Sequence, residues 1–223
     1  MNTQRALRLE PGAESPNVIA GHQGNAVTVG MEGVVIGGGG SVTGSNVVMG
    51  RFGTIGGGVG NVISTNAGDS TISGGWLNVI SPFSGYATLG GGSHNTAGAV
   101  AATVAGGFAN AALGQDSVVA GGYSNSVASL RAAVVGGFFN RVEPGFEGGF
   151  IGSGYGNRVA AHNSSVVGGY ENSILDSTDN YVVDAVIGGG LQNQISGDQA
   201  VIGGGAANTN AAYRATIAGG SYN

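Results

Sequence analysis

An aliphatic residue recurs along most of the chain at a fixed place in a short pattern: aliphatic, small residue, Gly-Gly, two further residues, Asn. Alignment on this aliphatic position, the anchor, gives thirteen turns, all with Ile, Leu or Val: Ile19, Ile36, Ile55, Ile72, Leu89, Val104, Val119, Val134, Ile151, Val166, Ile187, Ile202 and Ile217. The two positions after the small residue are Gly in twelve turns each, with Ser153 and His22 as the exceptions. Self-similarity over nearly the whole chain predicts a repeat fold.

A polar residue closes the pattern. Six residues after the anchor stands Asn in every turn but the second, where the position holds Val42. We expect these asparagines to stack turn upon turn, with their amides bonding the backbone at the bend or the Asn above and below. The members of this structural column are Asn25, Asn61, Asn78, Asn95, Asn110, Asn125, Asn140, Asn157, Asn172, Asn193, Asn208 and Asn223.

The anchors are 15 to 21 residues apart, and every insertion into the 15-residue unit is even. Even insertions are compatible with strand alternation, because an odd slip would turn side chains to the wrong face. Fifteen residues are too few for two helices, and the glycines disfavour helix, but they suit two short strands of about five residues. The sequence therefore predicts an all-β fold, a parallel β-solenoid of about thirteen coils over residues 17–223, with residues 1–16 as an N-terminal lead-in or cap.

Composition narrows the function classes. The chain has 48 Gly among 223 residues, no Cys, 7 Arg, no Lys and 12 acids, for a net charge of −5. Disulfides and thiolate metal sites are excluded, and the basic stripe that nucleic-acid binding needs is missing. No apolar run reaches membrane-spanning length, so we expect no membrane insertion. The chain ends on the Asn of its own pattern, which favours an excerpt of a longer fibre.

A coil this small encloses only a few side chains, so one chain alone would bury little apolar surface. Association of three coils around a common axis would add the missing burial. Small residues directly after the anchor would let the chains approach closely: Gly37, Gly56, Ser73, Gly90, Ala105, Ala120, Gly152 and Ala218. The sequence therefore predicts an obligate homotrimer.

The phrases "SVVAGGYSNSVAS", "AVVGGFFNRV" and "ATIAGGSYN" resemble the hemagglutinin-type repeats of trimeric autotransporter adhesin heads. Variants with Gly-Gly-x-x-Asn are also similar to the shafts of bacterial and phage tail fibres. This resemblance implies a left-handed parallel β-roll that is trimeric and extracellular, on a cell surface or a virion. It also implies a structural and binding role, with a cell-surface receptor or glycan as the partner.

Aromatic residues concentrate four residues after the anchor. If they stack about 4.8 Å apart, they form a ladder that serves either as a platform for sugars or a receptor, or as a contact between chains of the trimer. We favour the contact between chains, because β-solenoids seldom leave such a strip bare. The ladder consists of Trp76, Phe108, Tyr123, Phe138, Tyr155 and Tyr170.

Two other functions stay open as alternatives. A fibre-borne carbohydrate-processing enzyme would use paired carboxylates of two inserted loops, drawn from Glu143, Glu147, Asp176, Asp179 and Asp184. An ice-binding protein would use a threonine column just before four anchors: Thr54, Thr71, Thr88 and Thr103. The three histidines, His22, His94 and His162, fall at different phases of the repeat and cannot stack into a metal site within one coil. The Gly-rich stretches lack the Gly-Lys-Ser/Thr of a phosphate loop, and no nucleophile elbow stands out. We expect no enzyme, no cofactor and no metal.

Overall fold

The computed structural model describes residues 6–176 and 182–223. The described chain is all β, without helix, and forms a parallel β-solenoid of about thirteen turns. It divides into two compact units, residues 1–112 and 113–223. The prediction of a parallel β-solenoid is confirmed.

The first unit contains thirteen described strands: β1 (Leu7–Glu10), β2 (Asn17–Ala20), β3 (Ala26–Val27), β4 (Val35–Ile36), β5 (Val47–Val48), β6 (Thr54–Ile55), β7 (Val62–Ile63), β8 (Thr71–Ile72), β9 (Val79–Ile80), β10 (Thr88–Leu89), β11 (Thr96–Ala97), β12 (Thr103–Val104) and β13 (Ala111–Ala112). One sheet, here the anchor sheet, has the order β1-β2-β4-β6-β8-β10-β12. The second sheet has the order β13-β11-β9-β7-β5-β3. All pairs are parallel except β1 with β2, which is antiparallel.

The second unit repeats this arrangement with thirteen strands: β14 (Val118–Val119), β15 (Ser126–Val127), β16 (Ala133–Val134), β17 (Arg141–Val142), β18 (Phe150–Ile151), β19 (Arg158–Ala160), β20 (Ser165–Val166), β21 (Ser173–Leu175), β22 (Val186–Ile187), β23 (Gln194–Ile195), β24 (Val201–Ile202), β25 (Thr209–Asn210) and β26 (Thr216–Ile217). Even-numbered strands form the anchor sheet of this unit and odd-numbered strands form its second sheet. Every pairing within these sheets is parallel.

Strand alternation places the core. In almost every strand the second residue points inward, so the anchors pair in register, as in Ile55 with Ile72 and Ile72 with Leu89, and are fully buried. The inner residues of the second sheet, such as Val142 and Val159, face them and are also fully buried. Each coil thus encloses a narrow core of one inward side chain from each sheet, to which a buried small or aliphatic residue two before the anchor is added in most coils, such as Val34, Ala87 and Ala102.

The sequence predicted two strands of about five residues per coil, whereas most strands have two residues and a third line of pairing exists. Isolated parallel bridges join residues four after the anchor, for example Phe138 with Tyr155 and Tyr155 with Tyr170. Corners with positive φ separate the three lines, as at Phe139 (φ 58°) and Arg131 (φ 53°). The left-handed backbone of these residues turns the chain, and their N–H groups donate to carbonyls of the preceding coil, as Phe139 N–H does to the Tyr123 carbonyl.

The second glycine of each Gly-Gly pair is required by the coil itself. Gly137 has φ +88°, a conformation that side chains rarely adopt. A Cβ there would collide with the carbonyl oxygen of Gly154 in the next coil and would lie 2.6 Å from Nδ2 of Asn140. Gly136, by contrast, has nothing within 4 Å of a Cβ position. The packing of the coil therefore requires Gly at the second position of the pair but not at Gly136.

Candidate functional site

The aromatic column of the second unit lies on the surface of the coil. Tyr123, Phe138, Tyr155 and Tyr170 stand on consecutive coils, joined by parallel bridges, and each exposes between 39 and 54 % of its surface. Leu191 continues the column at 44 % exposure. The column is thus an exposed apolar strip on the single chain.

The rings of this strip pack on one another. Tyr155 and Tyr170 are stacked with centroids 5.0 Å apart and ring planes 6° from parallel. Tyr123 and Phe138 are stacked at 6.2 Å. Phe139, whose role the sequence analysis did not recognise, contacts Tyr123 and Tyr155 edge to face at 5.4 and 5.7 Å. Stacking along the column directs ring faces toward neighbouring rings, so the strip suits apolar contact with a partner better than sugars stacked on open ring faces.

In the first unit a histidine belongs to the aromatic cluster. His94 packs edge to face on Trp76 at 4.8 Å and against Phe108 at 5.3 Å. Its Nδ1 is 2.7 Å from Oγ of Ser93. Within the described residues no carboxylate orients this ring, so the Ser–His pair lacks the third group of a catalytic triad. The position of His94 in the repeat, one residue before Asn95, did not indicate its contacts with Trp76 and Phe108.

Charge is placed beside the strip at one point. The negative charge of Glu171 raises the pKa of the Tyr170 hydroxyl above its usual value of 10. The Glu171 carboxylate also accepts a hydrogen bond of 2.9 Å from Nε2 of Gln192. A tyrosine hydroxyl is protonated at neutral pH even at its usual pKa, so Tyr170 has a hydrogen to donate with or without this shift.

The asparagine column is buried and fully bonded. Asn140 donates its own N–H to Oδ1 of Asn125 and its Nδ2 to the carbonyls of Gly136 and Gly154, at 2.9 to 3.0 Å. Its Oδ1 accepts from the N–H and Nδ2 of Asn157, both at 3.0 Å. Each Asn thus closes its own Gly-Gly bend and binds the next coil. The same pattern, with small variations, joins Asn61, Asn78, Asn95 and Asn110 in the first unit and Asn157, Asn172, Asn193 and Asn208 in the second.

The second coil has its own column member. Asn46 donates its N–H to Oδ1 of Asn25 and accepts from the N–H of Asn61, both at 3.0 Å. Val42, which stands at the regular position in the sequence, is 89 % exposed. The second coil therefore does have its Asn, which the column predicted from the sequence omitted: a four-residue insertion after the Gly-Gly bend moves it to position 46. An even insertion followed by Asn was the signal in the sequence.

In the described part of the acidic loops, the carboxylates are bonded to arginines or to backbone, or lie on a corner of the coil. Glu143 is bonded to two arginines, and Glu147 lies 3.4 Å from Arg131. Oδ1 of Asp176 accepts the Val182 N–H, and Asp184 occupies a left-handed corner. Asp179 lies outside the described residues. In residues 6–176 and 182–223 no three His, Asp or Glu side chains are grouped as a metal site.

The outer face of the anchor sheet carries no charge in strands β2 to β26. Its two outward positions, directly before and after the anchor, hold only Val, Thr, Ser, Ala, Gly and Phe150. Thr54, Thr71, Thr88 and Thr103 pair in register within it, as the ice-binding alternative requires. The neighbouring column at these coils is Gly56, Ser73, Gly90 and Ala105, so each coil offers one threonine.

The described part of the chain contains no helix of the length and apolarity needed to cross a membrane. No protein-family model matches the chain, and no curated protein matches it either. Any conclusion about function therefore rests on the surfaces described above.

Proposed function

We propose that this chain is the structural and binding module of a trimeric surface fibre, an adhesin head or tail-fibre shaft. In this proposal the coil is left-handed, lies outside the cell or on a virion, and attaches multivalently to a cell-surface receptor or glycan. Three identical binding surfaces on one rigid module raise avidity without any new contact.

The observation that supports this proposal is the outer face of the anchor sheet, which is uncharged from β2 to β26 in both units, whereas the outer face of the second sheet carries Arg141 and Arg158. Soluble domains normally expose charged side chains on a flat sheet face, because a neutral face of small residues is prone to association. Here Val35, Val118 and Val135 are exposed at 37 to 53 % on such a face. We assign this face to the contact between the three chains, with the aromatic column at its margin.

The first glycine of the Gly-Gly pair adds to the argument. At Gly38, Gly106, Gly121, Gly136 and Gly204 a Cβ would meet nothing within 4 Å. The chain's own packing therefore leaves room for a side chain where the sequence keeps Gly. A neighbouring chain that approaches the backbone closely would account for this choice.

Sedimentation equilibrium with matched variants tests the trimer. Val35→Lys with Val118→Lys places two charges on the anchor-sheet face and should convert trimers to monomers. Val47→Lys with Val79→Lys places the same charges at the same strand position of the second sheet and should leave trimers intact. A wild-type chain that sediments as a monomer would contradict the proposal, as would equal behaviour of the two variants with circular dichroism unchanged.

A further inference from the structure

The outer face of the second sheet differs between the two units. The first residue of each strand forms an outward column, which in the first unit is mostly apolar: Ala26, Val47, Val62, Val79, Thr96 and Ala111. In the second unit all six residues have side chains capable of hydrogen bonding, and none is acidic: Ser126, Arg141, Arg158, Ser173, Gln194 and Thr209. They pair in register from coil to coil, which makes a continuous polar line.

Two arginines occupy the middle of this line. Arg141 and Arg158 are directly opposite each other in a parallel pair, and their side chains are 58 and 50 % exposed. Like charges opposite each other destabilise a sheet, and ten of the twelve equivalent strand positions hold uncharged residues. The coil therefore does not need arginine here, and two of only seven arginines in the chain meet at this place.

A single glutamate holds both arginines. Nε of Arg141 lies 2.8 Å from Oε2 of Glu143, and Nε of Arg158 lies 2.8 Å from Oε1. The Glu143 side chain is only 12 % exposed. Each carboxylate oxygen thus lies beside one guanidinium at Nε, and the Arg158 Nε–H donates a hydrogen bond to Oε1. Among the described residues, the Nη groups of both arginines donate no hydrogen bond. Glu143 offsets the repulsion and leaves two open N–H forks about one coil spacing apart.

We propose that this polar line, made of the first residues of the six odd-numbered strands from β15 to β25, is a binding site for a linear acidic glycan. The Nη forks of Arg141 and Arg158 take carboxylate or sulfate groups, since a guanidinium binds such oxyanions in a bidentate manner. Ser126, Ser173 and Gln194 offer hydrogen bonds to sugar hydroxyls on either side. A column whose own six positions hold no acidic side chain fits a polymer that lies along the stack, and Glu143, which pairs with both arginines from beside the column, is the positioning residue.

This site names the ligand class of the proposed attachment function and rests on that function. The experiments that test the glycan site and the trimer have distinguishable failures. Loss of the glycan site would leave the sedimentation behaviour unchanged, whereas loss of the trimer would leave the glycan contacts of each chain in place. The anchor-sheet face and the polar line are on different sheets of the coil.

Titration calorimetry of the full chain tests the site with hyaluronan (carboxylate only), chondroitin sulfate (carboxylate and sulfate), dextran (neutral) and poly-glutamate. We expect both acidic glycans to bind and dextran not to bind. Their relative affinities show which oxyanion the forks prefer. The failure of both acidic glycans to bind would overturn the proposal, and binding of poly-glutamate as tight as that of the glycans would overturn the assignment to a sugar chain.

Variants locate the site. Arg141→Lys with Arg158→Lys keeps the charge but removes the forks and should weaken binding at least about tenfold. Arg141→Gln with Arg158→Gln should abolish it. Arg214→Lys and Arg214→Gln are the matched controls, because Arg214 lies on a corner over Tyr213 and should not affect binding. Unchanged binding by the Gln pair would overturn the site, and unchanged binding by the Lys pair would overturn the bidentate contact.

Discussion

At the scale of single residues, the pattern combines requirements of two kinds. Gly137 is fixed by the geometry of its own coil, because its φ is positive and the next coil's backbone fills the Cβ position. Gly136 is next to it and free of both restrictions. Asn140 is fixed by hydrogen bonding, since its amide satisfies the backbone of the bend and of the neighbouring coil. The positions of one repeated motif are thus kept constant for different physical reasons, backbone geometry at one and hydrogen bonding at another.

The glycine pair gives the first prediction. Gly137→Ala should destabilise the coil by about 2 kcal/mol or more, through strain and collision with the Gly154 carbonyl. Gly136→Ala should leave the coil within about 0.5 kcal/mol of wild type but weaken association of the chains. Hydrogen exchange of buried amides in the surrounding coils measures the first effect, and sedimentation equilibrium measures the second. Equal exchange in both variants would refute the separation of roles.

The displaced asparagine gives the second prediction. Asn46→Ala leaves the Asn61 N–H and the Gly58 carbonyl without their partner in a buried site, which should cost about 2 to 4 kcal/mol. Val42→Ala changes an exposed side chain and should have little effect on stability. Denaturant unfolding of the two variants compares them directly. If Val42→Ala proved the more destabilising change, the column would not pass through position 46.

At the scale of elements, the N-terminal corner differs from the rest of the solenoid. β1 covers β2 in an antiparallel pair, and the loop between them is held by Glu32. The pKa of Glu32 is held below its usual value of 4.5, chiefly by the hydrogen bond from the Ala13 N–H. The Glu14 N–H and the positive charge of Arg51 lower the pKa further, and together these effects outweigh desolvation, which raises it. In this loop the N–H groups of Ala13 and Glu14 are satisfied by a side-chain carboxylate, whereas elsewhere the backbone N–H groups mostly bond to carbonyls of the neighbouring coil.

This corner gives the third prediction. Because the folded pKa of Glu32 is lowered, its contribution to stability is fully present above pH 4.5 and is lost as the pH falls through the folded pKa. Glu32→Gln should reduce the hydrogen-exchange protection of the Ala13 and Glu14 amides at pH 6 and have little effect at the acid end of the titration. A difference between wild type and variant that is constant over this range would contradict the role of the charge.

The aromatic column gives the fourth prediction. Tyr123→Ala with Tyr155→Ala should dissociate the trimer, because the column lies at the margin of the proposed contact. Tyr213→Ala removes an exposed tyrosine outside the column and is the control. Sedimentation equilibrium and a cell-binding assay are read together. Intact trimers that no longer bind cells would assign the column to the receptor instead.

At the scale of the whole molecule, the solenoid was predictable and its corners were not. The anchors, the Asn spacing and the even insertions were enough to predict parallel stacked coils. The third line of pairing was missed, because its left-handed corners hold residues as different as Phe139, Glu171 and Ala207, and no composition marks them. The Arg141–Glu143–Arg158 cluster was missed for a related reason: Arg158 is 15 residues from Glu143 and 17 from Arg141, and it meets them only through the stacking.

The repeated bonding of the asparagine column has a consequence for how such a chain can change in evolution. Each Asn donates to the Oδ1 of the Asn one coil earlier, as Asn193 does to Asn172, and its own Oδ1 accepts from the Asn one coil later, so every coil offers its neighbours the same donors and acceptor. Gain or loss of a whole coil therefore leaves no asparagine donor or acceptor inside the stack without a partner. Duplication or slippage of the encoding DNA by one repeat would shorten or extend the module without inventing a new core, while sites such as the arginine pair are gained by substitution on individual coils.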